Sequence, residues 1–296
     1  MRFARHGAQR RSPIPVSLWM MVLLWVVMLG GALPLHAQQE SFPYTYGKQD
    51  LWHLGAGVGA AALGGFFQEG LPAATASDFE LLDPDGINGL DRWVTDRYSE
   101  TWQDRSDLFR SAAQGVGIVC VTLCGLQPGE SGTVGHAAVL AGMAAEAFLL
   151  RTGVTDLMKG SFRRWRPYTY SATLTSEEKL AIAQRFGTDP DDARRSFFSG
   201  HASNAALWAV FAGRVFSELH PESSLLTPVW IVGGAVAAGA GVGRVLGGMH
   251  FVSDVLVGWG VGGAIGWFIP ELHRRDREGG LEVEAGLDGV GLRWRF

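Results

Sequence analysis

The chain has 296 residues, 47% of them hydrophobic and 18% charged, with 41 glycines and a net charge of −4. That is enough apolar material for one large domain with appendages, and the acidic balance gives no support to a nucleic-acid partner. The two cysteines, Cys120 and Cys124, stand four apart in an apolar run without a histidine or cysteine cluster, so they read as packing residues rather than a disulfide or metal ligands.

Residues 1–37 read as a signal peptide or an uncleaved anchor. Arg2, Arg5, Arg10 and Arg11 form a basic start with no acid before Glu40, an apolar run covers Val16 to Leu29, and Leu35-His36-Ala37 offers a cleavage site. Losing those four arginines takes the net charge from −4 to −8, so the mature protein is expected to be an acidic protein of the cell envelope.

Residues 38–107 contain a first helix, Leu51–Gln68, and a polar connection, Leu71–Asp107. In that connection Asp83-Pro84-Asp85-Gly86 and Asn88-Gly89 mark turns. The spaced acids are similar to a calcium loop, but Ile87 stands where a ligand is needed, and solvated turns fit better. From 108 to 275 apolar runs recur: Ser111–Gly129; Ser131–Ala145, continuing through Glu146 and Arg151 to about Met158; Ala202–Phe216, interrupted by Arg214; Ser223–Gly243; and Val255–Pro270. None shows strand-like alternation, so the fold expected is all-α, with six helices. A polar insertion, Tyr168–Arg195, carries a short helix near Ser176–Phe186 and is placed to overhang a site. The runs approach the ~20 residues that span a bilayer, which points to membrane contact, although the mean hydropathy of +0.10 is low for a chain that crosses many times.

Glycines gather at 55, 57 and 59 and at 233, 234, 239, 241 and 243. Gly239-Ala240-Gly241-Val242-Gly243 has no preceding strand and no βαβ unit, so it is not a dinucleotide fingerprint. Close helix–helix approach is the expected use. The tail, Leu281–Phe296, predicts a β-hairpin turning at Asp288-Gly289. In the expected register Leu287 faces Val290, Ala285 faces Leu292, Glu284 faces Arg293, Val283 faces Trp294, Glu282 faces Arg295 and Leu281 faces Phe296.

The residues that carry chemistry fall at helix ends. Lys159 and Arg166-Pro167 close the third helix, Ser199-Gly200-His201 opens the fourth, Arg244 closes the fifth, and His250 with Asp254 opens the sixth. If consecutive helices run antiparallel, all these ends lie at one pole. Three cations, a hydroxyl and the N-terminus of a helix at Gly200 suit a phosphate. Asp254, four residues after His250, is expected to bond the ring and leave its other nitrogen basic, a nucleophile that would form a phosphohistidine. His201 is suited to protonating the leaving oxygen. No carboxylate cluster for a metal accompanies these residues. Arg163, Arg164 and Trp165 read as solvent-facing, His53 and His136 as core or helix-end residues, and Glu146, Arg151 and Asp156 as partners inside the bundle.

Lys159-x6-Arg166-Pro167, Ser199-Gly200-His201 and Arg244-x5-His250-x3-Asp254 together resemble the three-part signature of the type 2 phosphatidic acid phosphatase (PAP2) superfamily, which includes class A acid phosphatases and vanadium haloperoxidases. The resemblance implies a six-helix PAP2-type bundle and a metal-independent phosphatase acting on a phosphorylated small molecule or lipid. It needs no cofactor, with vanadate as a phosphate mimic. In that scheme Lys159, Arg166, Ser199, Gly200 and Arg244 bind phosphate, His201 is the acid, His250 the nucleophile and Asp254 its partner. Two positions depart from the family pattern: Phe198 stands where proline is usual, and Gly243 where serine is usual. A vanadate-dependent haloperoxidase and a non-catalytic envelope scaffold or anion-binding protein are the alternatives. The site is expected on the periplasmic face. If residue 38 starts outside, that requires either a core that does not cross the membrane or a first helix, Leu51–Gln68, that stays out of it.

Overall fold

The computed structural model describes residues 42–47, 50–68, 73–126, 132–185, 190–275, 280–286 and 289–295; the expected export segment, 1–37, lies outside them. The described residues form nine α-helices rather than six: α1 (Leu51–Gln68), α2 (Ala76–Glu80), α3 (Gly89–Arg92), α4 (Glu100–Gly125), α5 (Gly132–Phe162), α6 (Ser176–Arg185), α7 (Gly200–Leu219), α8 (Leu226–Leu246) and α9 (Val252–Leu272). Six are long. Of the other three, α6 is the short helix expected near Ser176–Phe186, while α2 and α3 lie in the polar connection before α4, where apolar periodicity gives little warning of a helix of one turn. The helix α4 starts eleven residues before the uncharged run does, so the boundary expected after Asp107 falls inside a helix.

Consecutive long helices alternate in direction. The C-terminal ends of α1, α5 and α8 therefore meet the N-terminal ends of α4, α7 and α9 at one pole. Hydrogen bonds tie these ends together: Arg163 Nη2 donates to the Phe67 carbonyl at 2.9 Å, Gln103 Nε2 to the Gly247 carbonyl at 3.1 Å, and the Ser199 backbone N–H to the Asp254 carbonyl at 3.0 Å. At the opposite pole the segment before α1 pairs with the end of α9, through Thr45 N–H to the His273 carbonyl and Arg275 N–H to the Pro43 carbonyl.

The central helix is α7, which buries Ala205, Leu207, Trp208, Phe211, Val215 and Phe216 and packs against α4, α5, α8 and α9. Its contact with α9 is built on small residues four apart. A Cβ added at Gly258 would lie 2.7 Å from the Ser199 carbonyl oxygen, at Gly262 2.0 Å from that of Ser203, and at Gly266 2.6 Å from that of Leu207. Only hydrogen fits there, so the helix bearing His201 lies against the one that follows His250. On α1 the close approach is made by Gly57 and Gly64 against α5, whereas Gly55 and Gly59 face nothing within 4 Å.

Four helices, α4, α5, α8 and α9, are long and apolar enough to cross a membrane. Large apolar side chains face outward on five of the long helices, including Phe66 (70% exposed), Ile231 (65%) and Phe268 (60%). At the C-terminus β1 (Gly280–Gly286) and β2 (Gly289–Arg295) pair antiparallel, with Leu281 opposite Trp294, Glu282 opposite Arg293, Val283 opposite Leu292 and Ala285 opposite Val290. This is two residues away from the expected register. A slip of two leaves the alternation in phase, so the apolar pattern does not distinguish the pairings. The expected turn residue Asp288 and the pairings of Leu287 and Phe296 lie outside the described residues.

Candidate active site

The approach to His250 is set by the end of α8. Gly247 closes that helix and Gly248 takes a left-handed backbone (φ 71°), where an added Cβ would lie 1.8 Å from the Arg97 carbonyl oxygen. Glycine is required there for both reasons. The turn doubles back so that the N–H groups of Met249 and His250 both donate to the Arg244 carbonyl. His250 is buried, and its Nδ1–H donates to the Ser196 carbonyl at 2.7 Å. That bond places the lone pair on Nε2, which receives Arg166 Nη1–H at 3.2 Å. Burial, followed by the charges of Arg166, Arg244 and Lys159, holds the imidazole well below the ordinary histidine range, so it is neutral and basic at Nε2 near neutral pH.

The expected direct bond from Asp254 to this ring is not made. Nδ1 is 3.8 Å from Asp254 Oδ2, while the Ser196 carbonyl is more than 1 Å nearer. Asp254 instead accepts from Ser196 Oγ (2.5 Å), from the Phe251 N–H (2.9 Å) as part of the cap of α9, and from Arg164 Nη1 (2.6 Å). Its link to His250 runs through Ser196, whose hydroxyl it holds and whose carbonyl holds the ring. Arg164 is not solvent-facing: its other nitrogen reaches Asp91 Oδ2 at 2.9 Å, and Asp91 in turn accepts from Ser253 Oγ and the Ser253 N–H. Burial opposes ionisation of Asp91, but the Ser253 and Arg164 bonds outweigh it and keep the carboxyl below its ordinary value. Arg163 is exposed, as expected, and Trp165 is half-buried; both make structural contacts. The former holds the end of α1, and the latter packs edge-on against Phe79 beneath the Arg194 guanidinium.

Around His250 the cations converge. Lys159 lies in the last turn of α5, and its Nζ is 3.7 Å from where a Cβ on Gly200 would stand. Arg166, held in extended backbone by Pro167, also donates to the Met249 carbonyl and grips Asp192 through Nε to the carbonyl (2.8 Å) and Nη2 to Oδ1 (2.9 Å). Although burial works against it, Arg166 and Lys159 hold the Asp192 carboxyl below its ordinary value. Arg244 Nη1 lies 3.5 Å from Asp107 Oδ1, the same oxygen that accepts the His201 Nε2–H at 2.6 Å. Ser199 caps α7, its Oγ accepting the Ala202 N–H at 3.4 Å, which leaves the hydroxyl proton to donate. All eight expected site residues thus lie at one pole, joined through Arg166, Arg244 and Asp107. The glycine at 243 has a local cause: a Cβ there would lie 2.8 Å from Ser106 Cβ and 3.1 Å from the Trp102 carbonyl, because α4 occupies that space.

Five residues of this network were not anticipated: Asp91, Asp107, Arg164, Asp192 and Ser196. Asp107 had a readable signal, since Gln103, Asp107, Arg110 and Gln114 form a polar stripe at helical spacing that runs from the polar half of α4 into its apolar half. The others sit in short or irregular segments where spacing carries no information.

A family model described as the PAP2 superfamily matches residues 135–278. Phosphatidylglycerophosphatase B of Bacillus subtilis (strain 168) is 41% identical over 68 residues, 23% of this chain and 34% of that protein, so the match spans about a third of the relative's length. A crystal structure of a transmembrane PAP2-type phosphatidylglycerolphosphate phosphatase from Bacillus subtilis superposes loosely, with a TM-score of 0.41 and 18% identity, over 88% of this chain and 95% of that one. Residues 135–278, just under half of the chain, hold all three motifs and are similar to the PAP2 superfamily.

Proposed function

We propose that the protein is a membrane-embedded phosphatase that hydrolyses a lipid phosphomonoester or pyrophosphate through a phosphohistidine on His250. The observation that carries this is the state of that ring: proton fixed on Nδ1 by a backbone carbonyl, lone pair on Nε2, and three cations around it. Lys159, Arg166 and Arg244 would draw in a phosphate dianion and oppose a metal ion at the same place. Gly200, with no side chain at the N-terminus of α7, gives the anion access to backbone N–H groups there.

In the first half-reaction His250 Nε2 forms a bond to phosphorus as the bond to the leaving oxygen breaks. The leaving oxygen takes a proton from the imidazolium form of His201, whose Nε2–H stays on Asp107. In the second, His201 accepts a proton from water as the water oxygen attacks phosphorus. The P–N bond then breaks, freeing inorganic phosphate and the neutral His250 ring. Arg166 and Arg244 bear the added negative charge of each transition state. Asp192 positions Arg166, and Asp254 positions His250 through Ser196.

Three things support a lipid as the substrate: helices able to cross a membrane, outward apolar side chains, and the similarity to a phosphatidylglycerophosphatase. Its class would be phosphatidate, phosphatidylglycerophosphate, isoprenoid pyrophosphate or lipid A. As for location, α1 lies along α5 through Gly57 and Gly64, so it crosses wherever α5 does. Residues 42–47 and the catalytic pole then face opposite sides of the bilayer. A periplasmic site and a residue 38 that emerges outside exclude each other in a bundle that spans fully, and labelling of single cysteines at Thr45 and Thr173 decides between them.

The test is phosphate release by protein purified in detergent, without added divalent cation, from short-chain forms of these lipids and from p-nitrophenyl phosphate. Turnover of at least one lipid, faster than of the soluble ester, is expected. No release from any of them overturns the reading.

A further inference from the structure

At the pole opposite the active site, four side chains that the phosphatase chemistry does not use turn toward one another. Asp50 precedes α1, His53 lies in its first turn, Glu146 lies in α5, and His273 follows α9. One ligand atom each from Asp50, His53 and His273 lies within 4.8 Å of the other two. Glu146, fully buried, touches both rings: Oε1 is 2.9 Å from His53 Nδ1, and Oε2 is 3.3 Å from His273 Nε2. Asp50 Oδ2 is 3.8 Å from that same His273 nitrogen.

Despite these distances, His53 Nδ1, His273 Nε2 and both Glu146 oxygens lack a hydrogen bond of acceptable geometry. The His273 Nδ1–H is already committed, donating to the Ile269 carbonyl at 2.9 Å, so a neutral ring turns its Nε2 lone pair toward two carboxylates. Lone pairs facing lone pairs in a buried place are unfavourable unless a cation lies between them. A backbone carbonyl that fixes the far nitrogen of a ring is also the usual support of a metal-bound histidine. The ring is braced further by Tyr46, stacked at 5.1 Å with an interplanar angle of 6°.

We propose that Asp50, His53, Glu146 and His273 form a structural site for a divalent metal of the zinc class. Two neutral imidazoles and two carboxylates around one divalent ion sum to zero charge, which suits burial, and an N₂O₂ donor set whose nearest pairs are 2.9, 3.3 and 3.8 Å apart suits four-coordinate zinc. The site would join the segment before α1, α1 itself, α5 and the end of α9, which are otherwise held there by backbone bonds and ring stacking. Its distance along the bundle from His250 separates this proposal from the phosphatase reading.

The test uses full-length protein in detergent without a histidine tag, loaded with Zn²⁺ and desalted. About one zinc per chain by mass spectrometry is expected, with the visible bands of four-coordinate cobalt when Co²⁺ replaces it. The melting temperature should rise by roughly 5 °C or more in saturating Zn²⁺ relative to EDTA. His53→Gln, at a partly exposed position outside the catalytic machinery, should fold and hydrolyse phosphate ester but retain no zinc, and Asp50→Asn should bind it more weakly. Wild-type protein that holds less than about a tenth of an equivalent after loading overturns the proposal, as does a full equivalent retained by His53→Gln. Melting indifferent to Zn²⁺ and EDTA also overturns it and leaves a proton shared by Glu146 and His273 as the explanation.

Discussion

Replacing Asp254 with asparagine separates an indirect support from a direct catalytic pair. The carboxylate accepts three bonds, from Arg164, Ser196 and the Phe251 N–H. Asparagine has one acceptor oxygen and must turn its NH₂ toward one of these donors, stranding a buried group at a cost of ~1–3 kcal/mol. Loss of the charge opposite Arg164 adds to this, although Arg164 keeps Asp91, so the total should be ~2–4 kcal/mol. At this chain length that lowers the melting temperature by roughly 3–6 °C. The His250 ring, held by the Ser196 carbonyl, keeps its tautomer, so kcat should fall only ~10-fold to ~10²-fold. A direct carboxylate partner of a catalytic histidine is worth ~10⁴-fold. The assay is kcat on a short-chain lipid phosphate in detergent beside thermal melting. A ~10⁴-fold loss of kcat with unchanged melting would show that the carboxylate acts on the ring itself and would refute the relay through Ser196.

The remaining perturbations address other parts of the account. His250→Ala should lower kcat/KM at least ~10³-fold, measured on the same substrate, while melting stays close to wild type. Because burial and the three cations depress the His250 pKa, its nucleophilic form persists below the ordinary value of about 6.5; the acid limb of kcat/KM assigned to His250 should lie below that, and Arg166→Gln should move it upward. By the same sign, burying the neutral ring contributes stability that is fully present above about 6.5 and lost as pH falls toward the folded-state value, which melting curves across pH will read. Gly262→Ala places a methyl where only 2.0 Å separates it from the Ser203 carbonyl; a loss of ~1–3 kcal/mol in stability is expected, with lower activity as α7 and α9 part.

What could be read from the sequence was the set of long helices and the three motifs, because apolar runs bounded by charge persist whatever their neighbours. The side chains that orient those motifs could not be read. Arg164 looked like a solvated charge because its partners, Asp91 and Asp254, are 73 and 90 residues away in sequence. The i,i+4 rule placed Asp254 near His250, and it is near, but the rule assumes that both residues belong to one helix. His250 precedes the cap of α9, so its ring is turned toward Ser196. Glycine counts pointed to close packing without saying where; the stripe that matters, Gly258, Gly262 and Gly266, is defined by the carbonyls of α7. His53 read as an ordinary helix-end residue because Glu146 and His273 reach it only in the folded bundle.

The central claim is that phosphorus is bonded to His250 Nε2 during turnover. Rapid quenching of the enzyme with ³²P-labelled substrate tests it most directly. The account predicts a phosphoenzyme that is labile to acid, stable to base and mapped to His250; label on another residue, or a reaction that inverts configuration at phosphorus with no label trapped, would contradict it.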